Sequence, residues 1–356
     1  MKRGVIILLL IGFIASSSAQ KWVDARDLAI HGYTKKSEKY PYYRFDHTPY
    51  QLGKSLTTMA EGATGLYVTF KTNSSNISAS WSVVPHRMRD NMPIIMQRGL
   101  DLYTKIDGEW HYVQASRIPC DPAITSYNKL LAKRLPKEEK EFILYLPGWC
   151  EMKSLQIGID EDASIEGTPS PFRHKVIVYG SSITHGAAAS RAGLTYTAIM
   201  SRNLGIDFVN FGFAGLCMMQ PEFLEILKSC EADAFLFDTF SNPSAKVIEA
   251  RLPKFVEGLV KAHPGKPLIF MQSAIPLETC VDPGKRAKRK LRFDTAARIM
   301  KELQKQYKDV YFLDVPNVTG KDGSVDNTHP NDLGFSRFVE TYQPKIAKIL
   351  RKYKIK

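Results

Sequence analysis

Over the first half of the chain, apolar and polar residues alternate with a period of two in short runs: GLYVTFKT (65–72), ISASWSVV (77–84), GLDLYTKI (99–106), WHYVQAS (110–116), EFILYLPG (141–148) and SLQIGID (154–160). β-branched and aromatic residues dominate these runs and Gly, Asn, Asp and Pro punctuate them, which predicts half-buried antiparallel strands. Asp107-Gly108 marks a hairpin between two of them. Within GLDLY, Leu100 and Leu102 then point into a sandwich, and Asp101 and Tyr103 point away from it. From residue 175 the pattern changes to continuous apolar runs, KVIVYG (175–180), DFVNFG (207–212), AFLFDTF (234–240), PLIFMQS (267–273) and VYFLDV (310–315). Helical periodicity fills the spaces near 196–203, 221–229, 245–262, 285–307 and 332–352. Strands apolar along their whole length, each followed by a helix, predict a parallel sheet covered on both faces. The stretch EDASIEGTPSPFRHK (161–175), rich in Gly, Pro and Ser, joins the two halves. The expected architecture is a jelly-roll-like β-sandwich over 20–165 and an α/β domain over 166–356.

The first nineteen residues fit neither half. Lys2 and Arg3 precede an apolar run from Val5 to Ala15, and Ser17-Ser18-Ala19 offers small residues for cleavage. Residues 1–19 therefore read as a signal peptide, with Gln20 as the new N-terminus and the periplasm or the exterior as destination. The run is shorter than the roughly 20 residues that span a bilayer, and no later segment suits one, so no transmembrane segment is expected. At 356 residues and 44% hydrophobic content the chain can bury a substantial core. Its five cysteines, Cys120, Cys150, Cys217, Cys230 and Cys280, are too scattered for a disulfide framework, and a Cys120–Cys150 bridge is left open. The formal charge of +13, or +11 without Lys2 and Arg3, favours anionic partners. For an exported protein those are acidic glycans before nucleic acid. The basic run GKRAKRKLR (284–292) follows the fourth strand, which would set Lys285 and Arg286 near the rim of a site there, or on a solvated helix face.

In doubly wound sheets ligands bind beyond the carboxyl ends of the strands, and four of those ends carry unusual residues. The first ends in Gly180-Ser181-Ser182, the second leads to Gly212 and Gly215, the third to Asn242, and Asp326 and His329 follow the fifth. A serine hydroxyl needs a neighbouring base, and that base needs a third group to fix its tautomer. Asp326 and His329 are spaced so that one turn lets the carboxylate hold the imidazole. A serine at a strand-to-helix turn has its N–H aimed at developing negative charge. Gly215 permits a second N–H to approach, and the Asn242 amide offers a third donor. Singly, each has a plainer explanation: Ser181 and Ser182 as helix caps, Gly215 and Asn242 as turn residues, Asp326 as a surface residue.

Together, the ordered set Ser182, Gly215, Asn242 and Asp326-x-x-His329 resembles the four blocks of the SGNH hydrolases, the GDSL-like esterases and lipases. GLDLY (99–103) is similar to the G-x-D-L-Y motif of the N-terminal domain fused to SGNH-type esterases. The resemblance implies a flavodoxin-like three-layer α/β/α domain and a serine esterase that needs no cofactor. Ser182 aligns with the nucleophile of the Gly-Asp-Ser block, Ser181 standing in the aspartate's place as a turn residue. His329 becomes the base, Asp326 its orienter, and Ser182, Gly215 and Asn242 the oxyanion hole. Relatives of this two-domain layout include carbohydrate esterases that remove acetyl groups, which implies an acylated carbohydrate, acidic or neutral, as substrate. A lipid or lysophospholipid acyl esterase and a non-catalytic glycan-binding protein are the alternatives. Two departures stand out. Leu216, Cys217 and Met218 follow the oxyanion glycine and would make the pocket more apolar, and the third block reads Asp-Thr-Phe-Ser-Asn.

Four further residues are candidate substrate contacts. His185 falls at the pocket rim just beyond the nucleophile, Asp101 and Tyr103 face the catalytic domain or the substrate, and Trp149 either stacks on a sugar ring or sits in a core. The remaining His and Cys residues lack metal-ligand spacing, and Ala187 stands where a phosphate loop requires lysine, so neither metal nor nucleotide is expected.

Overall fold

The computed structural model describes residues 20–356, and the expected leader of 1–19 lies outside them. The first half contains β1 (Gln20–Asp24), β2 (Ala29–His31), α1 (Lys54–Ala60), β3 (Tyr67–Thr72), β4 (Ile77–Val83), α2 (Ile94–Arg98), β5 (Asp101–Ile106), β6 (Glu109–Ala115), β7 (Ser126–Ala132), β8 (Lys140–Tyr145), β9 (Met152–Asp160) and β10 (Ile165–Gly167). Two antiparallel sheets result, β1-β9-β4-β7 and β10-β3-β8-β5-β6, with β2 also pairing β3. The hairpin between β5 and β6 turns on Asp107 and Gly108, both at positive φ (50° and 86°), as its two-residue loop requires. β10 lies within the expected joint of 161–175.

The second half runs β11 (Arg173–Gly180), α3 (Ser182–His185), α4 (Tyr196–Leu204), β12 (Ile206–Gly212), α5 (Pro221–Lys228), β13 (Ala234–Asp238), α6 (Ala245–Ala262), β14 (Leu268–Met271), α7 (Pro283–Gln306), β15 (Val310–Leu313) and α8 (Asp332–Lys352). The five strands form a parallel sheet ordered β12-β11-β13-β14-β15, the flavodoxin-like order. Because a strand's side chains alternate, Ile177 and Tyr179 of β11 pack with α5, α6 and α7, while Val176 and Val178 pack with α4 and α8. The sheet is therefore the middle of three layers.

The cores explain how the halves join. The sandwich interior holds Val68, Trp81, Leu100, Leu102 and Phe142, among others. The opposite face of the same sheet, with Tyr67, Tyr103, Ile143 and Tyr145, belongs to the core that also contains Val176, Tyr196 and Phe338. One sheet of the sandwich is thus buried on both sides, and the domain interface is continuous with the α/β core. Arg44, wholly buried, adds a polar tie by donating to the Gly212 carbonyl at the end of β12 (2.7 Å). The five cysteines are all free, Cys120 exposed and Cys150 buried, so the bridge left open between them does not form.

Candidate active site

The turn that presents Ser182 is built from the end of β11. Ser181 caps α3 by accepting a hydrogen bond from the Ile183 N–H (3.2 Å), and Gly186, at φ 98°, ends it after one turn. A Cβ at Gly180 would collide with the Thr184 side chain, and one at Gly212 with the His185 backbone, so these glycines let the turn close against β12. Beneath it lies Asp238, the last residue of β13. Its Oδ2 accepts from Thr184 Oγ1 (3.0 Å) and, more weakly, from Ser181 Oγ (3.4 Å). Burial pushes the Asp238 carboxyl up to about 7, against the pull of those hydroxyls. Ser181 is therefore a cap and a brace, as its place in the turn implies.

Ser182, only 8% exposed, has its Oγ 2.9 Å from His329 Nε2, and His329 Nδ1 lies 2.7 Å from Asp326 Oδ2. The carboxylate accepts at Nδ1, so that nitrogen carries the proton and Nε2 is free to accept from the serine. The loop is pre-set for this. Asp326 Oδ1 takes the N–H groups of Thr328 (3.1 Å) and His329 (2.8 Å), and Asn327 turns the chain at φ 58°. Arg289 of α7 grips Asn327 at its carbonyl (2.9 Å) and at Oδ1 (2.7 Å). Burial opposes ionisation of Asp326, but the bonds from the His329 backbone and ring and from Asn91 outweigh it and hold the carboxyl below its usual value. Asn331, whose side chain accepts from the Gly334 N–H (3.0 Å), caps α8 and starts it at Asp332.

Asn91 belongs to the other domain. Its Nδ2 donates to Asp326 Oδ2 (3.1 Å) and lies 3.3 Å from His329 Nδ1. The pocket over Ser182, about 370 Å³, is correspondingly composite: Gly215, Asn242 and His329 line it from the α/β domain, and Arg89, Asn91, Met92 and Trp149 from the sandwich. Asn242 Oδ1 accepts from the Cys217 N–H (3.2 Å), which leaves its Nδ2 as the end available to a ligand in the pocket. Gly215 is exposed at φ 72° on the same wall.

Residues 173–347 match the model of the GDSL-like lipase/acylhydrolase family, and residues 20–165 match the N-terminal domain of SGNH-type esterases. A protein described as a GDSL-like lipase, from Bacteroides ovatus, is 37% identical, with a TM-score of 0.89 over 94% of this chain and 98% of its own. The chain belongs to the GDSL-like lipase/acylhydrolase family. It is a carboxylic ester hydrolase. The same two-domain fold recurs in a salicylyl acyltransferase from a tetracycline biosynthetic pathway (19% identity, TM-score 0.70, 93% of this chain and 97% of that one). It recurs again in a family two carbohydrate esterase from Cellvibrio japonicus (12% identity, TM-score 0.61, 94% and 99%). No functionally curated protein matches the chain in sequence.

Several expectations for this hydrolase change on the coordinates. Asp101 and Tyr103 do face the α/β domain, but at 1% and 3% exposure they contact no substrate space. Asp101 accepts two bonds from Arg191 Nη1 (2.9 and 2.7 Å) and one from the Gly193 N–H (2.9 Å), and Tyr103 Oη lies 2.6 Å from Arg191. Burial opposes charge on Arg191, yet Asp101 and Tyr103 hold the guanidinium above its ordinary value. A Cβ at Gly193 would strike both side chains, so the GLDLY strand and the Ser190–Gly193 turn fit each other as a domain latch.

His185 is not on the rim but buried, its Nε2 2.9 Å from Thr64 Oγ1 and its ring 3.8 Å from that of Trp149. Burial, then the nearby Arg44, keep that imidazole neutral by holding its pKa well below the usual value. Trp149 is half-buried and lines the catalytic pocket, between its two expected roles. Leu216, Cys217 and Met218 do not line that pocket; Cys217 turns into the core and Leu216 packs against it. Lys285 and Arg286 do not line it either. The later members of the basic run brace neighbouring loops instead, Arg289 on Asn327 and Arg292 on the Ser241 carbonyl (2.6 Å). The sequence does not mark Arg89 and Asn91, because the polar segment after β4 reads only as a loop and nothing in its composition says that it crosses to the other domain.

Proposed function

We propose that the protein is an exported carbohydrate O-acyl esterase, acting on acetyl esters through Ser182, His329 and Asp326. Ser182 Oγ attacks the ester carbonyl as His329 Nε2 takes its proton, and the imidazolium that forms is stabilised by Asp326. The oxyanion receives hydrogen bonds from the Ser182 and Gly215 N–H groups and from the Asn242 amide. His329 then returns the proton to the leaving sugar hydroxyl, and a water molecule deprotonated by the same nitrogen releases acetate from the acyl-serine. No step calls on a cofactor.

The observation that carries this reading is the series Ser182 Oγ, His329 Nε2 (2.9 Å) and His329 Nδ1, Asp326 Oδ2 (2.7 Å), opening on a pocket that also holds Asn242 and Trp149. An aromatic face with amide and guanidinium groups suits a sugar better than an alkyl chain. The carbohydrate esterase from Cellvibrio japonicus with the same layout supports the substrate class. Kinetics on 4-nitrophenyl acetate and octanoate, with acetate release from an acetylated oligosaccharide, test it. The expected result is a strong preference for acetate together with release from the saccharide; a preference for octanoate would favour a lipid esterase. Export rests on the pattern of residues 1–19, and N-terminal sequencing of the mature protein should begin at Gln20.

A further inference from the structure

A second cavity, of about 360 Å³, adjoins the catalytic pocket, with Arg89 and Trp149 lining both. The mechanism above makes no use of it. Its charge is lopsided: Lys54, Arg87 and Arg89 line it against a single carboxylate, Glu151. Glu151 is engaged as acceptor from the Tyr43 hydroxyl (3.2 Å), whereas among the described residues none of the three cations has a carboxylate partner. Lys54, Arg87 and Arg89 are exposed, and the Arg89 guanidinium lies over the Trp149 ring (5.8 Å to its centroid).

His185 adds a neutral ring packed against Trp149. The Thr64 hydroxyl donates its one proton to the Gly148 carbonyl (2.8 Å), so the His185 Nε2–H must donate to Thr64 Oγ1. Nδ1 has no hydrogen-bond partner among the described residues, but it is itself closed off from the cavity, which the ring meets by its edge or face. The cavity thus combines an aromatic wall with cations that lack carboxylate partners. Those are the needs of a sugar that carries an anion.

We propose that this cavity is a subsite for the alcohol side of the substrate and takes a saccharide unit bearing a carboxylate or a sulfate. The inference deepens the esterase reading and rests on it for the placement of the scissile ester at Ser182. The sugar face lies along Trp149, and the anion sits among Lys54, Arg87 and Arg89.

The test is calorimetric binding to the full chain carrying Ser182→Ala, with three oligosaccharides of equal length: a hexuronate oligomer, a sulfated hexose oligomer and an uncharged hexose oligomer. At least one anionic oligomer should bind about tenfold tighter than the neutral one at low salt, with the advantage shrinking as salt rises. Which of the two does so identifies the anion. Adding K54E and R87E should weaken that binding by about tenfold or more, while the neutral oligomer changes by less than about twofold. Should the double variant melt below the parent, K54E alone at its exposed position carries the same comparison. Equal binding of charged and neutral oligomers, binding of none of them, or an anionic affinity untouched by charge reversal would overturn the proposal. Failure of the esterase reading would show separately, as no acetate release by the wild-type chain from any acetylated oligosaccharide.

Discussion

The Asn91 amide, carried by the β-sandwich, donates to Asp326 Oδ2 in the other domain at 3.1 Å. The sandwich therefore reaches the group that orients the proposed base. Hydrogen bonds to charged groups are worth about 1.5–3 kcal/mol, and the partial exposure of Asp326 argues for the lower end, so Asn91→Ala should lower kcat/KM about tenfold. Asn91→Asp removes the donor and sets a second carboxylate against the first. It should lose more than Asn91→Ala at neutral pH and recover part of the difference on acidification. Steady-state kinetics over pH on a chromogenic acetyl ester check this, and equal losses at every pH would mean that the amide acts only by filling space.

Asn242 holds the Cys217 N–H at Oδ1, and its Nδ2 is the proposed oxyanion donor. Asn242→Asp keeps the acceptor for the Cys217 N–H and removes the donor facing the pocket, whereas Asn242→Ala removes both. Loss of one oxyanion donor should lower kcat about a hundredfold in each variant. Only Asn242→Ala should also lose stability, by about 1 kcal/mol or more for the orphaned N–H. Kinetics paired with chemical denaturation separate the two effects.

Asp238 makes stability depend on pH. Its carboxyl titrates near 7 in the folded chain, above the ordinary 3.8, so between those values the native state holds a proton that the unfolded state has released. Its stabilising contribution is complete below about pH 4 and is lost as pH rises toward 7, after which it stays flat. Asp238→Asn should cancel this loss. Relative to wild type the variant should gain stability steadily from pH 4 to 7, on the order of 2–4 kcal/mol by the end, and no more above it. Denaturant midpoints across that range give the slope.

The Asp101–Arg191 latch is a buried ion pair, and removing one partner strands the other. Asp101→Ala should destabilise the protein by about 3 kcal/mol, the lower part of the range for such losses because Arg191 keeps some solvent contact. Asp101→Asn, which can still accept from the Gly193 N–H, should cost less. Urea titration of both variants tests the order.

Much of this was legible in the sequence, for physical reasons that differ by element. The five parallel strands are apolar through most of their length because both faces are covered, and such runs stand out from any background. Ser182, Gly215 and Asn242 stand out because each sits just past a strand end, where side chains of this fold meet, and Asp326 and His329 stand out by their spacing in the loop before the last helix. β2 and β10 have three residues each, too few for alternation to register, and β7 (SYNKLLA) is a polar edge strand. The roles of Arg89, Asn91, Asp101 and Arg191 depend on how one domain lies on the other. Apart from the outward-facing Asp101 and Tyr103 of GLDLY, no local pattern encodes that placement, and Tyr67 and Tyr145 on the same face read only as one side of ordinary strands.

The most direct test of the central claim is covalent. A fluorophosphonate attacked by an activated serine leaves a stable adduct, and peptide mass spectrometry locates it. The account predicts one adduct, on Ser182, abolished in Ser182→Ala and strongly slowed in His329→Ala, with esterase activity lost in step. An adduct on another residue, or esterase activity that survives in Ser182→Ala, would contradict it.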